Sequence, residues 1–444
     1  MNSTFSIIEY QAFSKEDLKE IFKEKAEGFY KELEDFAKNN ENLLGFKNKN
    51  TLKAKNYVGI IQTKSGVLEI LPKCTNLDSY KKEDSSSKHD KEKLRRCYEL
   101  DNISKNNDFY EKDFKFNPKN LLINMLKTLK NSPFKKSQIS SLQSSKIPLF
   151  EVFITMFLDE FDSVYKKGLM RSYLSCEENR AFLKGKLLFN EHIKQNLIHK
   201  ERFFTSSDEF VLDIAPNRLI KSTLNFLKSK TSLNKFRLIK AMQMFDEVKF
   251  SKNYEKDFSY KISRHFDYYE NLLLWCKIFL KNESFMPYHG KNEAFALLFP
   301  MEKIFEDYVA HMLKKVNPTQ NIKTQSSEKY LISKKGKKCF MLKPDLYIEN
   351  ETILDTKWKI PDSNEDKKHG IAQSDLYQMF AYACKFKIHD IKLIYPLCER
   401  TMNLQNTIKE LEFNANEHLA FLNDNNSPLK TNIKVQVFFA PLPF

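Results

Sequence analysis

Asp345, Asp355 and Lys357 are the residues of this sequence whose types and spacing suit joint chemistry. Pro344-Asp345 lies in one β-rich run and Asp355-Thr356-Lys357 in the next, with Glu349-Asn350-Glu351 as the turn between them. A hairpin symmetric about Asn350 makes Asp345 the direct cross-strand partner of Asp355, with Cβ atoms about 5 Å apart. Like charges so placed destabilise a sheet unless something offsets them, and a divalent cation held by both carboxylates would do so. Period-two alternation puts Lys357 on the face of Asp355 and leaves Leu354, Thr356 and Trp358 on the other face, where they can pack. Two carboxylates and a lysine on one face suit phosphodiester hydrolysis. Magnesium would polarise the phosphate and lower the pKa of a bound water, and Lys357 would orient that water or stabilise the developing charge. A third carboxylate from the preceding helix would complete the cation's shell. Glu306 is the first choice and Glu302 the second, both at the edge of an apolar stripe. The backbone carbonyl of Thr356 is a further candidate ligand.

A Pro-Asp followed by acid-x-Lys is a cheap pattern in a Lys-rich chain. Pro361-Asp362 before Glu365-Asp366-Lys367-Lys368 is a decoy of the same kind, without strand context, that fits a solvated loop. On these residues alone a structural charged hairpin stays open beside a nuclease. Lys334, Lys335, Lys337, Lys338 and Lys343 precede the hairpin, and Lys367, Lys368 and His369 follow it. They suit contacts to DNA phosphates, or a solvated basic loop.

The elements that must position these residues belong to a chain of 444 residues, which corresponds to roughly three domains. With 41% hydrophobic and 13% aromatic residues it can bury a sizeable core, so wholesale disorder is excluded. Lys and Arg number 73 against 58 Asp and Glu, a net charge of +15 that suits a polyanionic partner or reflects a Lys-rich coding bias. Seven cysteines without a CxxC fit a reducing cytoplasm and no zinc finger. Met1 to Tyr10 lacks the pattern of a signal peptide, and no run of about 18 apolar residues suggests a membrane span. The Gly-Lys pairs at 185, 290 and 336 follow Arg180, Phe285 and Leu331 where a P-loop needs glycine, so the chain is expected to hydrolyse no nucleotide itself.

Ser14 and Asp17 resemble a capping box opening a helix to about Lys38. Tyr57–Thr63 and Val67–Leu71 read as a hairpin turning at Lys64-Ser65-Gly66. Residues 75–113 read as a polar loop or insertion. From Asn117 to about Lys281 helical patterns dominate, and His192, His199, His265 and His289 show no metal-ligand spacing. After Pro300 comes a helix over Met301–Lys315, strands over Cys339–Ile348 and Thr352–Lys359, a helix over Ala372–Phe386, and strands over Ile391–Tyr395 and Ile433–Phe439. That order is an α/β core. The expected whole is an α+β and α/β multidomain protein: a β-containing N-terminal domain over 1–115, a mainly helical middle over 116–290, where a DNA path is expected, and an α/β core over 291–444.

Lys343-Pro344-Asp345 with Ile353-Leu354-Asp355-Thr356-Lys357-Trp358-Lys359 resembles the PD-(D/E)xK nuclease motif. Ser374-Asp375-Leu376-Tyr377-Gln378-Met379-Phe380-Ala381-Tyr382 is similar to the McrC family in particular, the nuclease subunits of McrBC-type, 5-methylcytosine-dependent restriction systems. Ile304–Val309, Tyr57–Gln62, Leu68–Lys73, Leu183–Lys186 and Asn217–Lys221 also resemble that family. The resemblance implies a magnesium-dependent DNA endonuclease with Asp345, Asp355 and Lys357 as its catalytic set. It adds Gln378 as a glutamine near the scissile phosphate. It implies methylated double-stranded DNA as substrate, and as partner a GTP-hydrolysing AAA+ McrB-like hexameric ring that binds the GTP, reads the mark and is stimulated by the N-terminal part of this chain. A non-catalytic adaptor of an NTPase and a stand-alone restriction or repair nuclease are the alternatives.

Overall fold

Residues 57–62 and 67–71 are apolar almost throughout and buried at every position, the pattern of strands covered on both faces. The computed structural model that contains them describes residues 3–74, 96–100, 117–129, 132–136, 147–281, 294–326, 329–334, 336–364, 366, 368–404, 408, 410–413 and 433–443. Most of the expected 75–113 insertion, together with His289, Lys335 and Lys367, lies outside the described residues. Residues 2–149 and 284–444 form one compact unit, and residues 150–283 form another.

In the first unit, β1 (Thr4–Ile8) and β2 (Ala12–Ser14) lead to α1 (Lys15–Phe22) and α2 (Ala26–Asn39). The Asp17 carboxylate accepts from both the amide and the hydroxyl of Ser14, at 2.7 and 3.0 Å. The single helix expected to Lys38 is broken at Lys23, whose φ is +49°. The rings of Phe22 and Phe29 stack across that break with centroids 4.4 Å apart. After β3 (Leu44–Asn48) and β4 (Thr51–Ala54), β5 (Tyr57–Gln62) and β6 (Val67–Leu71) make the expected antiparallel hairpin. β1 lies parallel to β6. Helix α3 (Pro118–Leu126) is capped by the Asn117 side chain.

The second unit holds α4 (Leu149–Lys167), β7 (Ser172–Arg180), β8 (Lys186–Leu187), α5 (Phe189–Asn196), β9 (Phe203–Val211), α6 (Ala215–Lys228), α7 (Lys235–Gln243), α8 (Tyr254–Phe258) and α9 (Glu270–Lys281). Helix α6 packs against α7, α8 and α9. Buried Asn217 at its start donates to the carbonyls of Met170 and Leu212, both at 2.8 Å. This region was expected to be mainly helical, but among its described residues β7, β9 and β8 form an antiparallel sheet in that order. β7 is largely exposed and β9 buries only Thr205 and Ser207, while Tyr173, Leu174 and Phe210 face solvent. Without a buried apolar face the two strands carry no clean apolar alternation, so period-two reading misses them.

The chain then returns to the first unit as β10 (Phe295–Pro300), antiparallel to β5. Among the described residues this completes a four-stranded sheet in the order β1-β6-β5-β10. Helix α10 (Met301–Val316) follows without a gap. The rest is β11 (Ile322–Thr324), the ribbon β12 (Lys329–Lys334) and β13 (Lys337–Leu342), β14 (Leu346–Ile348), β15 (Thr352–Thr356), α11 (Gln373–Phe386), β16 (Asp390–Leu397), β17 (Glu410–Phe413) and β18 (Ile433–Pro441). Six of these strands form a mixed sheet in the order β11-β14-β15-β16-β18-β17. β15, β16 and β18 run parallel, and α11 makes the crossover from β15 to β16. The expected strand over Cys339–Ile348 is two strands in two different sheets. Pro344, which has no N–H to donate, sits between them. The expected strand over Thr352–Lys359 ends at Thr356.

The units do not follow the expected division at 115 and 290. Pairing of β10 with β5 joins the N-terminal sheet to the mixed sheet's helices. Helix α3, expected in the middle part, joins the first unit: Asn124 donates to the Pro443 carbonyl at 2.9 Å and Lys119 pairs with Glu69 at 3.2 Å.

Gly59 makes the β5–β10 pairing possible. Its φ is +135°, and a Cβ there would stand 2.1 Å from the Leu297 carbonyl oxygen across the ladder. Gly59→Ala should therefore cost at least about 3 kcal/mol, through backbone strain and separation of β10 from β5. Urea denaturation is the measurement, and an unchanged midpoint would count against this account of the joint.

Candidate active site

The β14–β15 register places the site. Leu346 faces Leu354, Tyr347 faces Ile353 and Ile348 faces Thr352, so the hairpin is symmetric about Asn350, whose φ is +61°. Continuing that register pairs Asp345, one residue before β14, with Asp355. Asp355 is 1% exposed. Its Oδ2 lies 2.5 Å from Lys357 Nζ, an ion pair without the angle of a hydrogen bond. Asp345 Oδ2 accepts from the Thr356 amide at 2.7 Å and from its hydroxyl at 2.6 Å. Thr356 therefore does not simply pack on the far face: its hydroxyl holds Asp345.

Lys357 Nζ also donates to Gln378 Oε1 on α11 at 2.9 Å. Gln378 Nε2 donates to the Tyr382 hydroxyl at 2.7 Å, and that hydroxyl donates to the Lys343 carbonyl at 3.0 Å. A closed path of polar contacts thus runs from the lysine through α11 to the segment that carries Asp345. Glu306 Oε1 on α10 accepts from Lys303 at 2.8 Å and from Gln325 at 3.0 Å. Glu302 accepts from Asn56 at 2.9 Å. All these acids line one cleft of about 790 Å³, with Lys357, Gln378, Lys73 and Trp358.

Electrostatics separates the two glutamates. Burial, and then the charge of Asp345, push the Glu306 carboxyl above its usual range. The same two causes, opposed by Lys357, push Asp355 up to about 7. Burial and then the charge of Asp355 also raise the Tyr382 phenol. Glu306 therefore senses Asp345, whereas Glu302 sits among Asn56, Tyr10 and Glu9.

Among the described residues, no group of three or more His, Cys, Asp or Glu side chains is gathered so that it could hold a metal ion. The chemistry of the donors nevertheless fits a hard cation. Two carboxylates are held towards their neutral forms by burial and a neighbouring carboxylate, a surplus of negative charge that a divalent ion would offset. Asp345, Asp355 and Glu306 all line the same cleft.

Residues outside the sequence motif hold the end of this strand. Trp358 Nε1 donates to both carboxylate oxygens of Glu9, at 3.2 and 2.9 Å, and the Trp358 ring lies 5.2 Å from that of Phe305. Lys73 Nζ donates to the Trp358 carbonyl at 2.8 Å. Lys73 was visible in Leu71-Pro72-Lys73, but without a role; nothing in the sequence marked Glu9. The decoy residue Asp362 is exposed. His192 contacts Asn196 and His199 contacts Glu201, and neither joins a metal group.

The family described as "McrBC 5-methylcytosine restriction system component" matches residues 52–396 of the 444. The chain belongs to that family. The match includes the whole Asp345 to Gln378 segment. No curated protein matches the sequence. The fold is similar to a chain in the refined half-complex of a tetradecameric assembly of Thermococcus gammatolerans McrB AAA+ hexamers with bound McrC, with TM-score 0.63 and 19% identity over 99% of this chain and 94% of that one. A cryo-EM structure of the Thermococcus gammatolerans McrBC complex matches 70% of this chain and 87% of that one at 19% identity, and its TM-score of 0.45 is too low to bear on the fold. Among the described residues no helix is long and apolar enough to cross a membrane.

Glu9 gives a test of the packing behind the strand. Burial raises its carboxyl to about 7 against the opposing Lys73 charge and Trp358 hydrogen bond, with Glu302 adding a smaller push upwards. A carboxyl raised in the folded state binds its proton more tightly there than in the unfolded chain. Its contribution to stability is therefore present at low pH and is lost as pH rises through about 7. Melting of the metal-free chain should fall between mildly acidic and mildly alkaline pH, and Glu9→Gln should flatten that fall while Asp355 leaves a residual slope. Identical slopes for the two proteins in scanning fluorimetry would refute the assignment.

Proposed function

We propose that this chain is the DNA endonuclease subunit of a GTP-dependent, modification-dependent restriction complex, built on a PD-(D/E)xK core. The observation that carries the reading is the cluster of Asp345, Asp355 and Lys357 at the β14–β15 hairpin, inside the family-matched span and open to one cleft. The mixed sheet with α10 before the hairpin and α11 after it supports the same core.

Asp345, Asp355 and the Thr356 carbonyl would hold magnesium, with Glu306 completing the acidic set. Magnesium when bound supplies charge neutralisation at the phosphate and a water of lowered pKa. Lys357 is positioned by Asp355 on one side and Gln378 on the other, so its ammonium is held at the cleft rather than free to sample solvent. From there it can donate to a phosphate oxygen or to the attacking water as charge develops. Gln378 and Tyr382 position that lysine.

The partner in this reading is a McrB-like AAA+ GTPase ring, in keeping with the McrB AAA+ hexamers of the similar assembly. The absence of a Gly-x-x-x-x-Gly-Lys sequence here agrees with GTP being bound by the partner, whose hydrolysis this chain would stimulate. Methylated double-stranded DNA is the proposed substrate.

The test is plasmid cleavage by the chain purified with its AAA+ partner, in magnesium and GTP. Methylated DNA should be cut and unmethylated DNA spared. Asp355→Ala should lose more than about a hundredfold in cutting rate while GTP hydrolysis persists. Full cutting by Asp355→Ala would remove the proposed site, and cutting of both DNAs alike would remove the modification dependence.

A further inference from the structure

The ribbon β12–β13 stands apart from the other sheets. Among the described residues its two strands pair only with each other, β12 lies against α11, and most of the ribbon's positions are exposed. An isolated two-stranded ribbon is marginally stable in water, so one that leaves Ile332, Phe340 and Met341 exposed has a surface suited to being covered. Phe340 is 69% exposed and its φ is +56°, a conformation that interrupts the ladder beside it.

The charge of the ribbon says what would cover it. From Lys329 to Lys343 the sequence contains six lysines and neither an aspartate nor a glutamate. Among the described residues no carboxylate pairs with Lys329, Lys334, Lys337 or Lys338. At the tip, Lys334 faces Lys337 directly across the strands. Like charges directly opposite destabilise a ribbon. The turn between them closes through Gly336 at φ +77°, and a Cβ built there would meet nothing within 4 Å. A protein that keeps a cationic pair at an open tip has not offset that repulsion internally.

The base of the ribbon is held where the tip is not. Leu342 packs against the hydrophobic core of the mixed sheet. The next residue, Lys343, gives its carbonyl to Tyr382, and Asp345 follows two residues later. The ribbon therefore springs from the segment that carries a carboxylate of the cleft.

We infer that the β12–β13 ribbon is a DNA-docking element that enters the major groove beside the cleft and sets the phosphate backbone with Lys334, Lys337 and Lys338. A two-stranded ribbon is of the width that groove admits, and lysines along it meet the flanking phosphates. The exposed apolar residues lie against base edges, where thymine methyl groups offer apolar contact. The inference rests on the endonuclease reading for its polymer, but not on the catalytic residues.

The experiment is DNA binding by the assembled complex with its AAA+ partner, without magnesium, to a fluorescein-labelled methylated duplex over a range of salt concentrations. The proteins compared are wild type, the triple Lys334→Gln, Lys337→Gln, Lys338→Gln variant, the matching triple Lys→Arg variant, and Asp355→Ala. Loss of three phosphate contacts should make the slope of log affinity against log salt shallower by about 2 to 3, and should weaken binding at low salt at least tenfold. The Arg variant should keep the wild-type slope, which separates charge from misfolding. Asp355→Ala should fail to cut when magnesium is restored. An unchanged slope in the Gln variant overturns the ribbon's role, and with cutting still lost in Asp355→Ala the nuclease reading stands. If the Gln variant instead changes the sedimentation of the complex and leaves DNA binding intact, the ribbon is an interface between protein chains and the inference falls.

Discussion

A buried carboxylate beside a second carboxylate is the constraint on which the rest of this cleft depends. Asp355 is almost wholly withdrawn from water, and Asp345 adds like charge to it across the hairpin. Burial and repulsion act in the same direction, and the pair persists because each member is answered separately. Asp345 is held by two donors from Thr356, and Asp355 by the ammonium of Lys357. That ammonium must itself be kept in place, which Gln378 and Tyr382 do from α11. The path of polar contacts through α11 is thus a consequence of placing two acids at one register position.

The frame around this pair is made by non-local strand pairing. β10 is the last strand of the N-terminal sheet and also the residues that lead straight into α10. The Met301 amide donates to the Asn56 carbonyl at 3.1 Å, fixing the first turn of that helix to the end of β5. Glu306, one and a half turns on, inherits its position from this junction. The far end of the active strand is tied to the same sheet by Glu9 and Lys73 around Trp358. Two of the three carboxylates and the lysine are therefore placed by elements more than two hundred residues away in the chain.

Much of this was legible in the sequence where one physical rule acted alone. The hairpin symmetric about Asn350, the span of α10 and the strands on either side of α11 follow from alternation, turn chemistry and helical spacing. Projection put both Glu306 and Glu302 at the edge of the apolar stripe, and it is the neighbouring charge of Asp345 that sets Glu306 apart. The sheet of β7, β8 and β9 was not legible, because strands that bury hydroxyl-bearing Thr205 and Ser207 rather than an apolar face leave no hydrophobic period. The division into units was not legible either: it hangs on β10 pairing with β5, and neither strand names its partner. Glu9 gave no signal for the same reason, since its importance comes from Trp358, 349 positions later.

Buried acids are not in themselves a mark of chemistry, and this chain holds the contrast. Glu151 in the other unit is 6% exposed, yet it accepts from the Thr231 hydroxyl, the Asn234 amide and the Ser232 backbone at 2.5 to 2.9 Å. Glu69, fully buried, is met by Lys119 and by Ser6. Each is enclosed by donors, as a structural acid must be. Asp355 and Glu306 differ in being pushed up by another acid and in lining a cleft. The cross-strand charge rule is broken twice in this part of the chain, with negative charge at Asp345 and Asp355 and with positive charge at Lys334 and Lys337. The two breaks lie on consecutive hairpins joined by three residues. A fold selected only for stability would relieve either repulsion by one substitution. Keeping both, with opposite signs and at adjacent places, suits a molecule whose missing counter-charges come from outside: a cation at the first pair and a polyanion at the second.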